Sequence, residues 1–390
     1  MNEYLAGLTT EKINPATLTI DECTTEQMLQ LLNQEDAKVP AAVAEEIPRI
    51  AQAVDVLCRR LADGGRMFYI GAGSSGRIGV LDASECPPTF GVDPELVQGH
   101  IAGGDSALRV AVEGFEDKAE EGIALIERCG VTAKDAVVGI SASGSAAFVI
   151  AALKRAAELG AATIGVVNNK DSKLAEVCDI AIAPIVGPEV IMGSTRLKAG
   201  SAQKLVLNML TTSVMVKLGK TYNNLMVDLR ATNEKLRDRS IRILTTATGA
   251  DPETAQEVLA RAGDSCKLAI LMLETGVEAE AGERLLASTR GNLKQAIRKQ
   301  KNDKQHVSDR EGADARVAKA GEVSKAGEVS KAGEVSKAGE VSKAGEVSKA
   351  GEVSKAGEVS KAGEVSKAGE VSKAGEVSKA GEVSKAGEVS

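Results

Sequence analysis

The sequence has only two histidines, His100 and His306, and its six cysteines (Cys23, Cys58, Cys86, Cys129, Cys178 and Cys266) form no CxxC pair. Scattered thiols with almost no imidazole argue against a zinc site or a disulfide framework, so no metal is expected. Cys86 alone lies beside a loop of interest, and a thiol without a nearby histidine reads as inert. No apolar run approaches the roughly 20 residues of a membrane span. The N-terminal MNEYLAGLTTEKINP has neither a basic start nor an apolar signal core, so a soluble cytoplasmic protein is expected, with no membrane partner. Positive charge is not in excess either: 48 Lys and Arg face 55 Asp and Glu, a net charge of −7. That balance carries no nucleic-acid footprint.

What fills the end of the 390-residue chain is repetition, with KAGEVS running twelve times without error from Lys319 to Ser390. Each copy carries one Lys and one Glu, so the net charge belongs entirely to residues 1–318. One Val in each repeat makes no apolar stripe at helical spacing, and the Gly of each copy costs about 1 kcal/mol against Ala in a helix. A hexapeptide repeat can mark a β-helix, but Val and Ala beside Lys and Glu give such a coil little to bury. A disordered extension is expected, and fold and function are to be read from the first 300 residues or so.

Residues 35–61 space Val43, Ile47, Ile50, Val54, Leu57 and Leu61 by three and four, which predicts an amphipathic helix kinked or restarted at Pro48. Apolar runs at 67–70, 96–101, 136–140, 163–167 and 180–185 alternate with helical sequence. That alternation predicts an α/β fold, a parallel sheet flanked by helices. A long helix follows Gly200, and the segment from Asn233 to Lys299 reads as a small helical domain, with Asp251 and Pro252 as a cap and first turn. No strand-like alternation follows Arg230.

The stretch YIGAGSSGR at 69–77 spells GxGxxG through Gly71, Gly73 and Gly76, after a strand and before a helix, where a dinucleotide fingerprint belongs. Two features count against that use. Pro87 and Pro88 are expected to stop the following helix early, and Asp93 and Glu95 stand before the second strand instead of at its end. A third feature is an echo, GISASGSAA at 139–147, which sets Ser75 opposite Ser145 and Gly73 opposite Ser143 when Ile70 is aligned with Ile140. Backbone N–H groups at helix starts attract an anion, and serine hydroxyls add donors without full charge, which suits a phosphate monoester. Gly and Ser also make ordinary turns and caps, and only the pairing of two such loops favours a ligand site. A third cluster, GSTRLKAGSAQK at 193–204, brings Ser194, Thr195, Arg196, Lys198 and Lys204, and otherwise reads as a capped helix with a solvated basic face.

These loops resemble the sugar isomerase (SIS) domains, α/β phosphosugar-binding domains with Ser- and Thr-rich turns. Longer motifs narrow the resemblance: LDASECPPTFGV at 81–92, VEGFED at 112–117, GSTRLKAGSAQKLVLNML at 193–210 and NLMVDLRATNEKL at 224–236 are similar to the N-acetylmuramic acid 6-phosphate etherases. The similarity runs through most of residues 1–300 and omits the repeats. It implies an N-terminal helical segment over 1–56, a SIS domain over 57–220 and a ubiquitin-associated-like helical domain over 221–300. A linker over 301–318 and the tail over 319–390 complete the expected division. It also implies a homodimer and no cofactor.

The implied reaction is loss of the D-lactyl ether from C3 of N-acetylmuramic acid 6-phosphate, giving N-acetylglucosamine 6-phosphate and D-lactate. The family assigns the acid and base to two glutamates, and the matching positions are Glu85 for protonation of the lactate oxygen and Glu116 for removal of the C2 proton. Charge patterning alone does not separate Glu116 from Glu113, Asp117, Glu120 and Glu121. The implied phosphate ligands are Ser74, Ser75, Ser141, Ser143 and Ser145, with Ser194 and Thr195 completing the site. A phosphosugar isomerase and a non-catalytic sugar-phosphate sensor of the same domain class remain as alternatives.

Overall fold

Five apolar runs become one sheet in the computed structural model, which describes residues 4, 7–228 and 234–305. β1 (Met67–Gly71), β2 (Val97–Ile101), β3 (Ala136–Ser141), β4 (Ala162–Val167) and β5 (Ile180–Ile182) stand in the order β2-β1-β3-β4-β5, and every pairing is parallel. β1, β3 and β4 are buried at each position, as strands covered on both faces must be. The last strand is shorter than the expected 180–185. The Ala183 N–H donates to Glu46 Oε2 at 3.1 Å instead of to a neighbouring strand, and Pro184 has no N–H to offer.

Alternation along β1 shows the two layers. Met67 and Tyr69 enter one apolar cluster, Phe68 and Ile70 the other. The first cluster lies under α2 (Val39–Glu45), α3 (Ile47–Ala62), α4 (Gly73–Phe90) and α8 (Lys198–Lys217), with Leu57, Val206 and Leu210 among its members. The second lies under α5 (Ala119–Arg128), α6 (Ala147–Glu158) and the short α7 (Lys173–Glu176), and includes Ile126, Leu153 and Leu174. The helix expected over 35–61 is interrupted: α1 (Thr25–Asp36) ends just after Glu35, α2 begins with Pro40 in its first turn, and α3 restarts with Pro48 in its own.

Pro87 and Pro88 do not stop the helix after the first loop. α4 runs 18 residues through both and ends at Gly91, whose φ of 62° supplies the left-handed cap. Proline's fixed φ is itself helical, and the local penalty falls only on the carbonyls one turn back. Burial of Cys86 and Phe90 against the sheet offsets that penalty.

Beyond α8 a hairpin of two-residue strands, β6 (Thr221–Tyr222) and β7 (Leu225–Met226), precedes α9 (Glu234–Thr248), α10 (Pro252–Arg261), α11 (Cys266–Thr275) and α12 (Ala279–Ser288). A further helix starts at residue 293. Asp251 caps α10 as expected, its side chain accepting from the N–H groups of Glu253 and Thr254. These helices share a separate core around Leu244, Leu259 and Leu271. Residues 1–300 hold together as one compact unit. The expected disorder of the repeat tail, and the expected linker past residue 305, lie outside the described residues.

Candidate active site

β1 and β3 are neighbours, yet α4 leaves β1 onto one face of the sheet and α6 leaves β3 onto the other. The order reverses here, so a crevice opens at the carboxyl ends of these two strands, the usual ligand position in open parallel sheets. Both serine turns border it.

In the first turn, two of the three glycines serve packing. A Cβ on Gly71 would lie 2.7 Å from the Gly76 nitrogen, and one on Gly76 would lie 2.6 Å from Ile101 Cγ1. Gly73 differs, because open space faces it and its φ of 53° begins α4. With Ala72 and Arg77 it lines a cleft of about 420 Å³, whose opposite wall is 111–114 and Glu116. Ser74 is half-buried and Ser75 buried, both within the first helical turn, whose leading N–H groups lack intrahelical acceptors. Arg77 is half-buried, and its guanidinium donates to the carbonyls of Ala107 at 2.8 Å and Leu108 at 3.1 Å and so braces the cleft wall.

The second turn is built differently. Ser141 is buried, and its Oγ accepts from the Gly144 N–H at 3.0 Å. Ser143 and Ser145 share a hydroxyl–hydroxyl hydrogen bond of 2.7 Å, and both are half-buried. α6 begins only at Ala147, so Ser145 precedes its helix whereas Ser75 lies inside one. In the sheet Ile140 pairs with Gly71, one residue out of step with the Ile70 to Ile140 alignment. The turns share a crevice and a chemistry but are not matched copies.

Lys198 corrects the solvated face expected of the third cluster. It is fully buried, and its Nζ meets Glu35 Oε2 at 2.6 Å, while Lys38 holds the other oxygen of Glu35 at 2.6 Å. Glu189, also fully buried, accepts from the N–H groups of Lys198 and Ala199 at 3.0 and 2.9 Å. The α8 N-terminus is therefore already filled by a carboxylate and is no phosphate cradle. Burial pushes the Glu189 carboxyl up against those hydrogen bonds. Burial also raises Glu35, but the hydrogen bonds and charge of Lys198 and Lys38 prevail and hold it at about 2. Ser194 and Thr195, half-buried in the turn before α8, line neither the Gly73 cleft nor the crevice turns.

The structure brings Glu116 to the first serine turn and leaves Glu85 away from it. Gly114, with φ 74°, turns the chain into the short helical turn Phe115–Asp117 that carries Glu116. Glu85 is exposed on α4, twelve residues past Gly73, or about 18 Å along the helix axis. Beside it lies a polar group that sequence reasoning missed. Asp82 is buried, accepts from Tyr69 Oη at 2.9 Å and from Asn208 Nδ2 at 2.6 Å, and is pushed up by burial. Burial likewise lifts the Cys86 thiol to about 12, which keeps it protonated and unreactive. Among the described residues no three His, Cys, Asp or Glu side chains group as a metal site.

The family models place this parallel sheet with serine turns at its switch point among the SIS domains. The glucokinase regulatory protein N-terminal SIS domain family matches residues 49–157, and the SIS domain family matches residues 121–213. An N-acetylmuramic acid 6-phosphate etherase of Clostridium acetobutylicum is 54% identical over 298 residues, 76% of this chain and 99% of that protein. Etherases of the same name from Caldanaerobacter subterraneus (54% over 75% of this chain and 96% of that protein) and Pectobacterium atrosepticum (51% over 76% and 98%) are similarly close. The chain belongs to the N-acetylmuramic acid 6-phosphate etherase family.

Proposed function

We propose that this protein cleaves the D-lactyl ether of N-acetylmuramic acid 6-phosphate, a carbon–oxygen lyase reaction of cell-wall amino-sugar breakdown carried out in the cytoplasm. The observation that carries the reading is the cleft in which Glu116 faces the Gly73 turn, in a chain about half identical to etherases along nearly their whole length. In the ring-opened aldehyde, C2 is acidified by the neighbouring carbonyl. Glu116 takes the C2 proton, the C3–oxygen bond breaks, and Glu85 protonates the departing lactate oxygen. Water then adds at C3 as its proton passes to the ionised Glu85 and the proton on Glu116 returns to C2. Both carboxyls end as they began, with no net redox change.

Phosphate recognition falls to Ser74 and Ser75 at the first turn and to Ser141, Ser143 and Ser145 at the second, while Ser194 and Thr195, which lie outside the cleft of their own chain, complete the site of a second copy. Glu85 is too far along α4 to reach the cleft of its own chain, so a homodimer is proposed in which a second copy presents it. Residues 57–220 form the phosphosugar domain in this reading, 1–56 a helical cover and 221–300 a helical appendage. The test is release of D-lactate from N-acetylmuramic acid 6-phosphate. Glu116→Gln is expected to lower that rate by about a hundredfold or more. A protein that releases no lactate overturns the reading, and an undiminished Glu116→Gln rate overturns the base assignment.

A further inference from the structure

Before α1 the chain crosses the carboxyl-end side of β4 and β5 in three short turns, Thr9–Glu11, Pro15–Thr17 and Ile20–Glu22. This strap is tied down by polar side chains. Thr17 Oγ1 donates to the Val190 carbonyl at 2.9 Å, and Asn14 Nδ2 donates to that of Pro188 at 3.2 Å. The central tie is Asn169, just past β4 and 4% exposed. Its Oδ1 accepts from the Thr9 N–H at 2.7 Å, and its Nδ2 donates to Thr10 Oγ1 at 3.1 Å and to the Ala142 carbonyl at 3.0 Å. One buried amide thus grips the strap with one edge and the second serine turn with the other. Its orientation is determined, because a flipped amide would set two oxygens against each other at Ala142.

A cleft of about 410 Å³ opens at this junction, with Gly7, Leu8 and Thr9 on the strap and Asn169, Lys170 and Ile185 on the domain. On its far side the serine turn is fixed by backbone: the Leu174 N–H donates to the Gly144 carbonyl at 3.0 Å, and a Cβ on Gly144 would lie 2.3 Å from Ser172. The turn is therefore clamped between α7 and Asn169, and both sides of the clamp meet the amino-terminal segment: Asn169 through the Thr9 N–H, and α7 through the Lys173 N–H, which donates to Tyr4 Oη at 3.0 Å.

We infer that Asn169 is a positioning residue, through which the amino-terminal strap sets how the 141–145 turn presents Ser143 and Ser145 to the substrate phosphate. The inference rests on the phosphosugar reading above. Asn169 touches no reacting atom in this scheme. Its loss is expected to weaken ground-state binding and leave the chemical step alone.

Asn169→Asp keeps the shape and removes the donations to Thr10 Oγ1, to the Ala142 carbonyl and to the Ser143 carbonyl, and Thr10→Val removes one contact on the strap side alone. For Asn169→Asp we expect KM for N-acetylmuramic acid 6-phosphate to rise about tenfold with kcat little changed. Calorimetric affinity for N-acetylglucosamine 6-phosphate should fall by a similar factor, and Thr10→Val should shift both the same way by less. In the ligand-free proteins, amide hydrogen exchange at Gly144 and Ser145 should quicken in the same order. A parent protein that neither binds the sugar phosphate nor releases lactate overturns the phosphosugar reading and this inference together. A working parent whose folded variants keep its KM and its exchange rates overturns the inference alone. Should Asn169→Asp fail to fold, an unchanged KM and unchanged exchange in Thr10→Val overturn the inference just as well.

Discussion

Glu35, Lys198 and Glu189 place three charges where water scarcely reaches, at 3%, 1% and 0% exposure. Buried ions are costly unless each finds partners, and here each does: Glu35 has two ammonium groups, and Glu189 has two backbone N–H groups. The arrangement pins the end of α1 to the start of α8, just after Ser194 and Thr195. It also sets a pH dependence. The Glu35 carboxyl is depressed on folding from its ordinary 4.5 to about 2, so its contribution is fully present above pH 4.5 and is lost as the pH falls through 4.5 toward 2. Urea unfolding at a series of acid pH values should show this loss. Glu35→Gln should be less stable at pH 7 and flatter across the same window, and parallel curves would show that Glu35 is not the group responsible.

At the level of elements, α4 joins the first serine turn at one end to the Glu85 region near the other. Its far end is fixed by Gly91, whose N–H donates to the Pro87 carbonyl at 2.9 Å and whose missing Cβ leaves room for the Asp228 carbonyl, 2.3 Å from where that carbon would be. Gly91→Ala combines a left-handed φ with a backbone clash. It is expected to destabilise by more than about 1 kcal/mol, read as a lower thermal midpoint. β1, β3 and β4 were legible because segments buried on both faces leave continuous apolar runs, and the half-buried edge strands β2 and β5 through their alternation with helical sequence. β6 and β7 were not, since two residues show no period, and Pro87 and Pro88 read as a stop because tertiary burial overrides a local rule. Among site residues the split is similar. Lys198 and Glu35 are 163 residues apart, and nothing near either one announces the pair. Asn169 is hidden in the same way, while Glu116 stood apart from Glu113 and Asp117 only through family resemblance.

For the whole molecule, the relatives are shorter than this chain: 298 aligned residues cover 99% of the Clostridium acetobutylicum etherase. A chain truncated after residue 318 is therefore expected to release lactate at the full-length rate, and a lost rate would give the repeats a role in activity. The larger question is how Glu85 and Glu116 meet, given about 18 Å of helix between Glu85 and the Gly73 end of the cleft. Leu81 on α4 and Met209 and Val216 on α8 are exposed apolar side chains on the two helices nearest Glu85, a surface that a second copy can cover. If each site takes Glu116 from one chain and Glu85 from the other, two dead variants can complement each other. Glu85→Gln and Glu116→Gln, co-expressed in equal amounts, give heterodimers in about half of all dimers, and each heterodimer contains one site with both glutamates intact and one with neither. About a quarter of the wild-type lactate release should return in the mixture, although each variant alone is inactive. Glutamates acting within one chain predict no recovery at any mixing ratio, so a silent mixture in which heterodimers are demonstrated by differential tags would remove the partner subunit from the site.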